Sequence, residues 1–210
     1  MRILLACEFY RPSVGGVQEV MRQVAERLAR RGHTVRVATS ALPARRERMI
    51  NGVEILEFAV SGNAVRGIEG EADRYRDLVL AGDYDVVMIK AAQQWTFDAL
   101  IPVLDRIRPR KVFVPCGFSG LYHPDFAAYF RDMPALLAKF DRLVFYASRY
   151  RDIEFARSHG LSNFTLIPNG ASEDEFGAPP SPGFRARHGI DEDAFLVLTV
   201  GTLNGFKGHL

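Results

Sequence analysis

Apolar and polar positions along this chain follow two alternating periods. Ile3-Leu4-Leu5-Ala6-Cys7 is a continuous apolar run, the pattern of a strand buried on both faces. Polar and turn-forming residues follow, ending in Pro12, Ser13, Gly15 and Gly16. Val17, Val20, Met21, Val24 and Leu28 then recur at helical spacing, with Gln18, Glu19, Arg22, Gln23, Arg27 and Arg30 facing mostly away. Arg30 and Arg31 suit the negative end of that helix, and Gly32 the position just after it. Residues 34–39 return as a second strand, so the first 40 residues predict a βαβ unit.

The alternation continues. Strands are predicted at 53–58, after the Asn51-Gly52 turn, and at 85–89, 111–115, 142–146 and 164–167. Helices are predicted at 71–80, at 95–107, at 124–140 with a break near Pro134, and from Ser148 as N-cap to about His159. Residues 61–70, with Gly62, Gly67 and Gly70, read as a mobile loop. Strand alternating with helix argues an α/β fold: a doubly wound, parallel sheet with helices on both faces. That pattern spans residues 1–170. Residues 171–193 then turn rich in Gly, Pro, Ser and acid, and read as a linker with a short helix near 184–188. Residues 195–200 read as one more strand, so 194–210 is expected to be the start of a second domain.

Composition narrows the functions. A net charge of +2 with Lys and Arg spread along the chain gives no electrostatic case for nucleic acid and does not indicate a membrane surface. No apolar run approaches the roughly 18 residues of a membrane span. Cys7 and Cys116 fall in strand-like contexts. They are expected to be reduced and structural, which points to the cytoplasm. Trp95, Phe97 and Leu100 read as packing residues, and Glu173, Asp174 and Glu175 as solvated linker carboxylates.

The chemistry is expected at Gly15-Gly16. Glycines at a helix start clear the space in front of backbone N–H groups that lack internal partners and carry partial positive charge, where a phosphate or carboxylate can settle. The same pair also permits a plain tight turn. The spacing is not that of the dinucleotide fingerprint G-x-G-x-x-G. At the far end, Asn169-Gly170 is either a turn or a turn that exposes polar groups to a cleft. Lys207-Gly208 is either a solvated pair or a phosphate contact.

Three segments in order carry a resemblance: Pro12…Gly15-Gly16 with Arg31-Gly32-His33-Thr34-Val35, then Leu166-Ile167-Pro168-Asn169-Gly170…Phe176, then 196–208 with Lys207-Gly208. Together they resemble the first half of retaining glycosyltransferases of the GT-B fold (glycosyltransferase family 4, group 1 type), whose two Rossmann-like domains face each other across a cleft. The resemblance implies that Gly15, Gly16 and Val17 approach acceptor and donor diphosphate, that Asn169 and Gly170 form a cleft turn, and that Lys207 and Gly208 meet the donor phosphate. It implies acceptor contacts in the loops 8–17, 90–95 and 116–123, with Glu8, Lys90, Gln94, Cys116, Gly117 and Ser119 as candidates. It also implies no metal and no cofactor, only a nucleotide-diphosphate sugar as co-substrate.

The departures are specific. Thr202 stands where the family usually has Arg. Lys90-Ala91-Ala92-Gln93-Gln94 replaces frequent histidines, Cys116-Gly117 replaces a frequent His-Gly, and Ser172 stands for Asp. No catalytic residue is therefore assigned, and His123 reads as an ordinary loop residue. The implied parent moves a sugar to a carbohydrate, lipid-linked or small-molecule acceptor hydroxyl with retention. The 210-residue chain alone is expected to be inactive without a C-terminal donor domain. A sugar-nucleotide epimerase of the same fold and a non-catalytic nucleotide- or sugar-binding module are the alternatives.

Overall fold

The computed structural model describes residues 1–177, 179 and 182–201. The chain divides into two compact units, Met1–Asn169 and Gly170–Leu210. Lys207, Gly208 and Thr202 lie outside the described residues.

In the first unit the elements are β1 (Arg2–Ala6), α1 (Gly16–Arg30), β2 (Thr34–Ser40), β3 (Met49–Ile50), β4 (Val53–Phe58), β5 (Val60–Asn63), β6 (Gly67–Gly70), α2 (Ala72–Ala81), β7 (Val86–Lys90), α3 (Trp95–Asp98), β8 (Arg110–Val114), α4 (Ala127–Leu137), β9 (Arg142–Phe145), α5 (Arg151–Ser158) and β10 (Phe164–Leu166). The main sheet runs β10-β9-β8-β7-β1-β2-β4-β3. All its pairings are parallel except β3 with β4. Asn51 and Gly52, both with positive φ, turn β3 back onto β4, the backbone a two-residue hairpin needs.

The continuous apolar run of β1 is explained by its two faces. Ile3, Leu5 and Cys7 pack with Met21 and Ala25 of α1 and with Val35, Val37, Val53 and Ile55. Leu4 and Ala6 face the other way, into a larger cluster with Tyr75 and Val79 of α2, Trp95 and Phe97 of α3 and Met133 and Leu137 of α4. Apolar layers on both sides make β1 the centre of a doubly wound α/β sheet. β2 and β7 flank β1 on opposite sides, so strand order reverses between β1 and β7. In such sheets the crevice at the carboxyl ends of the strands at that point is where ligands bind.

Several elements differ from the sequence reading. The expected loop at 61–70 is the antiparallel hairpin β5–β6. Its glycines are needed because the backbones nearly touch: a Cβ on Gly62 or Gly70 would lie 1.9 Å from the carbonyl oxygen of Gly67 or Ala59. The long helix expected at 95–107 is the single turn α3 followed by a 3-10 segment, Ile101–Arg106, opened by Pro102. Pro134 does not break α4, which continues through it to Leu137. α5 starts at Arg151 with Tyr150, not Ser148, in the cap position and no side-chain cap bond there.

Among its described residues the second unit contributes two single-turn helices, α6 (Glu173–Phe176) and α7 (Phe184–Arg187). The predicted strand at 195–200 is absent: Phe195, Val197, Leu198 and Val200 are exposed and their backbone pairs with no strand among the described residues. An apolar run becomes a strand only where a neighbour completes its hydrogen bonds.

Candidate functional site

Gly15 is the N-cap of α1 in extended backbone, and the helix begins at Gly16. A Cβ on Gly16 would meet nothing within 4 Å, so the space beside the first residue of this 15-residue helix is clear, at the end where its N–H groups lack intrahelical partners. A Cβ on Gly15 would instead press on the Gln18 side chain, which donates to Ser13 Oγ at 3.1 Å.

Two cavities flank this helix end. One of about 340 Å³ is lined by Gly16, Val17, Val20, Lys90, Cys116, Gly117, Tyr146, Ala147, Tyr150, Asp152 and Asn169. It lies at the carboxyl ends of β7, β8 and β9, beside the β1/β7 switch point. The other, about 590 Å³, is lined by Arg11 to Gly15, Gln18, Glu19, Ala44 to Glu47 and Ile50, on the far side of the glycine loop. The smaller cavity gathers six residues singled out in the sequence: Gly16, Val17, Lys90, Cys116, Gly117 and Asn169. Gly15 lines the larger one. Glu8, Gln94 and Ser119 line neither, and Gly170 begins the second unit.

Lys90, the last residue of β7, is 1% exposed. Its Nζ donates to the Tyr146 hydroxyl and stands 4.3 Å from the Tyr146 ring centroid. Burial lowers its pKa from the ordinary lysine value, and the adjacent Cys116 opposes that shift. Burial likewise pushes the Cys116 thiol up, against the pull of Lys90, so it is a poor nucleophile. Cys7 is fully buried and its thiol is pushed up to about 12. Both cysteines are free.

Asp152, in the first turn of α5, joins the two loops. Its carboxylate accepts from the Gly117 amide and from its own Ile153 amide, each at 2.9 Å. Burial raises its pKa and those amides oppose the rise. The carboxyl ends of β7 and β8 also hold four non-glycine residues at positive φ: Ala91, Gln93, Cys116 and Phe118. Backbone of this kind costs about 1–3 kcal/mol per residue and collects at functional sites.

The remaining candidates have structural partners. The Glu8 carbonyl accepts from Ser40 N and Thr39 Oγ1. Its carboxyl is raised by burial and by the negative charge of Asp98. Gln94 holds the N-cap position of α3 through its carbonyl, which accepts from the Phe97 and Asp98 amides at 3.1 and 3.0 Å; its side chain makes no cap bond, and Oε1 is buried without a hydrogen bond among the described residues. Ser119 donates to Gln93 Oε1 at 3.3 Å. His123 Nδ1 accepts from the Asp125 amide, a local cap as expected of a loop residue. Trp95, Phe97 and Leu100 are core.

Sequence reasoning missed Val20 as a cavity wall, and Tyr146, Ala147, Tyr150 and Asp152 altogether. Tyr146 directly follows β9 and Tyr150 directly precedes α5. The rule that ligands meet the carboxyl ends of parallel strands points to that loop as much as to the loops 8–17, 90–95 and 116–123. Among the described residues no group of three His, Cys, Asp or Glu side chains could hold a metal ion. No helix there is long and apolar enough to cross a membrane.

The family model described as Glycosyltransferase Family 4 matches residues 14–175, well over half of the chain. The chain belongs to Glycosyltransferase Family 4. The match runs from the glycine loop past the Asn169-Gly170 turn, so it contains the whole smaller cavity. No curated protein matches the chain. Among solved structures, sucrose-phosphate synthase from Thermosynechococcus elongatus aligns with a TM-score of 0.67 at 14% identity, over 91% of this chain and 53% of that one. A glycosyltransferase from Rickettsia africae aligns at 0.62 and 13%, over 91% and 50%. WaaG, a glycosyltransferase involved in lipopolysaccharide biosynthesis, aligns at 0.57 and 18%, over 90% and 52%. At these identities the likeness is one of fold, and it is that of the GT-B N-terminal domain. The chain spans about half the length of these structures.

Proposed function

We propose that this Family 4 chain is the acceptor-side half of a glycosyltransferase that moves a sugar from a nucleotide-diphosphate sugar to an acceptor hydroxyl with retention of configuration. The observation that carries the reading is the smaller cavity. It lies at the switch point of the sheet, and the unobstructed start of α1 at Gly16 opens onto it. In this reading the departing diphosphate meets the free N–H groups at Gly16 and Val17, whose partial positive charge matches the charge that develops as the glycosidic bond breaks. Asn169 forms the adjoining wall, Gly170 continues that turn, and Lys207 with Gly208 reaches the donor phosphate.

A second Rossmann-like domain, absent from these 210 residues, supplies most of the donor pocket, so the chain alone is proposed to be inactive. The boundaries that go with this reading are 1–170 for the acceptor side, 171–193 for the linker and 194–210 for the start of the donor side. The reading calls for no metal and no cofactor, and free Cys7 and Cys116 suit the cytoplasm. The acceptor is a carbohydrate, a lipid-linked sugar or a small molecule.

The test is an assay of the chain extended by its donor domain against nucleotide sugars and acceptors. The anomeric configuration of the product is read by NMR, with the 210-residue chain run in parallel. Transfer with retention by the extended chain alone is expected. Inversion, transfer by the 210-residue chain, or epimerisation without transfer would each overturn a stated part of the reading.

A further inference from the structure

Six charged residues of the described structure are buried: Glu26, Arg45, Glu57, Lys90, Asp98 and Asp152. Five have a partner suited to their charge. Glu26 meets Arg22 at 3.0 Å, and Arg45 meets Glu57. Asp98 accepts from Tyr129 Oη at 2.6 Å and from the Ala64 amide at 2.9 Å. Asp152 holds its two amides. Lys90 is the exception: among the described residues it forms no ion pair, and its ammonium touches only a phenol hydroxyl, an aromatic face and a thiol. Buried charges are normally paired. Here the missing partner has a place to sit, because Lys90 lines the 340 Å³ cavity.

The rest of the lining agrees in sign and in shape. The start of α1 presents partial positive charge at Gly16. The single acid in the lining, Asp152, has both oxygens engaged by amides. Val17, Val20 and Ala147 are apolar. Tyr150 is 53% exposed and its ring lies across Gly117, where a Cβ would come within 2.7 Å of it. An aromatic face beside a buried ammonium suits a sugar ring that carries a negative group.

We propose that this cavity takes an acceptor bearing a phosphate or a carboxylate, with Lys90 as the residue that selects the charged group and Tyr150 as the platform for the sugar. The inference rests on the transferase reading above. The cavity is lined wholly by the first unit, which that reading makes the acceptor side; the start of α1 at Gly16 stays with the donor diphosphate, and Lys90 at the end of β7 is assigned to the charged group of the acceptor.

The experiment titrates the 210-residue chain with glucose 6-phosphate, glucuronate, glucose, inorganic phosphate and uridine diphosphate, followed by NMR shifts of cavity residues and by calorimetry. The charged sugars should bind at least about tenfold more tightly than glucose, as charge-assisted bonds require. Lys90→Met should erase that preference while leaving the weak binding of glucose, and Lys90→Arg should retain part of it. Losing an unpaired buried charge, Lys90→Met should melt no lower than wild type. Equal binding of glucose and its charged relatives by wild type would overturn the proposal whatever the variants do. So would a Lys90→Met chain that keeps the preference. Inorganic phosphate binding as tightly as glucose 6-phosphate would leave only an anion site and overturn the sugar assignment. If uridine diphosphate displaces the charged sugars and its own binding depends on Lys90, the anion is the donor's and the acceptor assignment falls. Charge preference at Lys90 in an extended chain that transfers no sugar would sink the transferase reading alone. Transfer to neutral acceptors with no dependence on Lys90 would sink this inference alone.

Discussion

Arg45 and Glu57 form an ion pair sealed from solvent, their side chains 1% and 8% exposed. Glu57 is the penultimate residue of β4, and Arg45 sits in the loop between β2 and β3. The guanidinium also donates to the carbonyls of Arg11 at 2.6 Å, Ser40 at 3.0 Å and Tyr10 at 3.1 Å. One buried cation therefore ties the end of β2 to the chain that leads into the glycine loop. Burial alone would push the Glu57 carboxyl up. The Leu42 amide and Arg45 outweigh it, and the net position is below the ordinary glutamate value.

Arg45→Met leaves three carbonyls without their partner and the Glu57 carboxylate with only the exposed Arg48 at 2.8 Å and the Leu42 amide at 3.0 Å. Removing one member of a buried pair typically costs about 3–5 kcal/mol. A fall in stability of that order is expected in urea titrations, with amide exchange accelerated at residues 10–13. A variant as stable as wild type would show that the pair does not hold the loop.

Gly16→Val separates the two roles of the glycine. The backbone at Gly16 is ordinary helix and its Cβ space is open, so no strain is expected and the melting temperature should change little. In the extended enzyme, the valine side chain would stand over the free N–H groups of α1, and donor use should fall by about a hundredfold or more. A stable, fully active variant would remove the helix start from the site.

Asp98 sets a pH dependence of opposite sign to most carboxylates. Burial raises it from 3.8 to about 6, against the pull of its Tyr129, Ala64 and Gln93 hydrogen bonds. Between those values the folded state holds a proton that the unfolded state has lost. Stability should therefore fall as pH rises from about 4 to 6, by on the order of 3 kcal/mol at most. Denaturant titrations across that range should show the slope in wild type and its loss in Asp98→Asn. A slope unchanged by the substitution would remove Asp98 as its source.

Gly70→Ala and Gly160→Ala test the hairpin that replaced an expected loop. Both glycines have positive φ, but Gly160 faces open space, whereas a Cβ on Gly70 would strike the Ala59 carbonyl. Gly160→Ala should cost about 1–2 kcal/mol, and Gly70→Ala clearly more. Equal losses in thermal melts would mean that the close approach of Gly70 to the Ala59 carbonyl does not constrain the hairpin.

Much of this protein was legible in its sequence because local chemistry decided it. The two-sided apolar run at β1, the amphipathic spacing of α1, the Asn51-Gly52 turn and the bare Gly15-Gly16 helix start each rest on residues close together in the chain. The parallel α/β sheet follows from their alternation. What the sequence left open was decided by neighbours distant in the chain. Gly62, Gly67 and Gly70 looked like a flexible loop because nothing local reveals that their backbones pack against one another. The run at 195–200 looked like a strand because apolar content does not report whether a partner edge is present. Lys90 looked like one loop candidate among several. Only the convergence of β7, β8 and β9 places its ammonium under Tyr146 without a carboxylate, since burial and pairing of a charge are properties of the packed chain and not of its order.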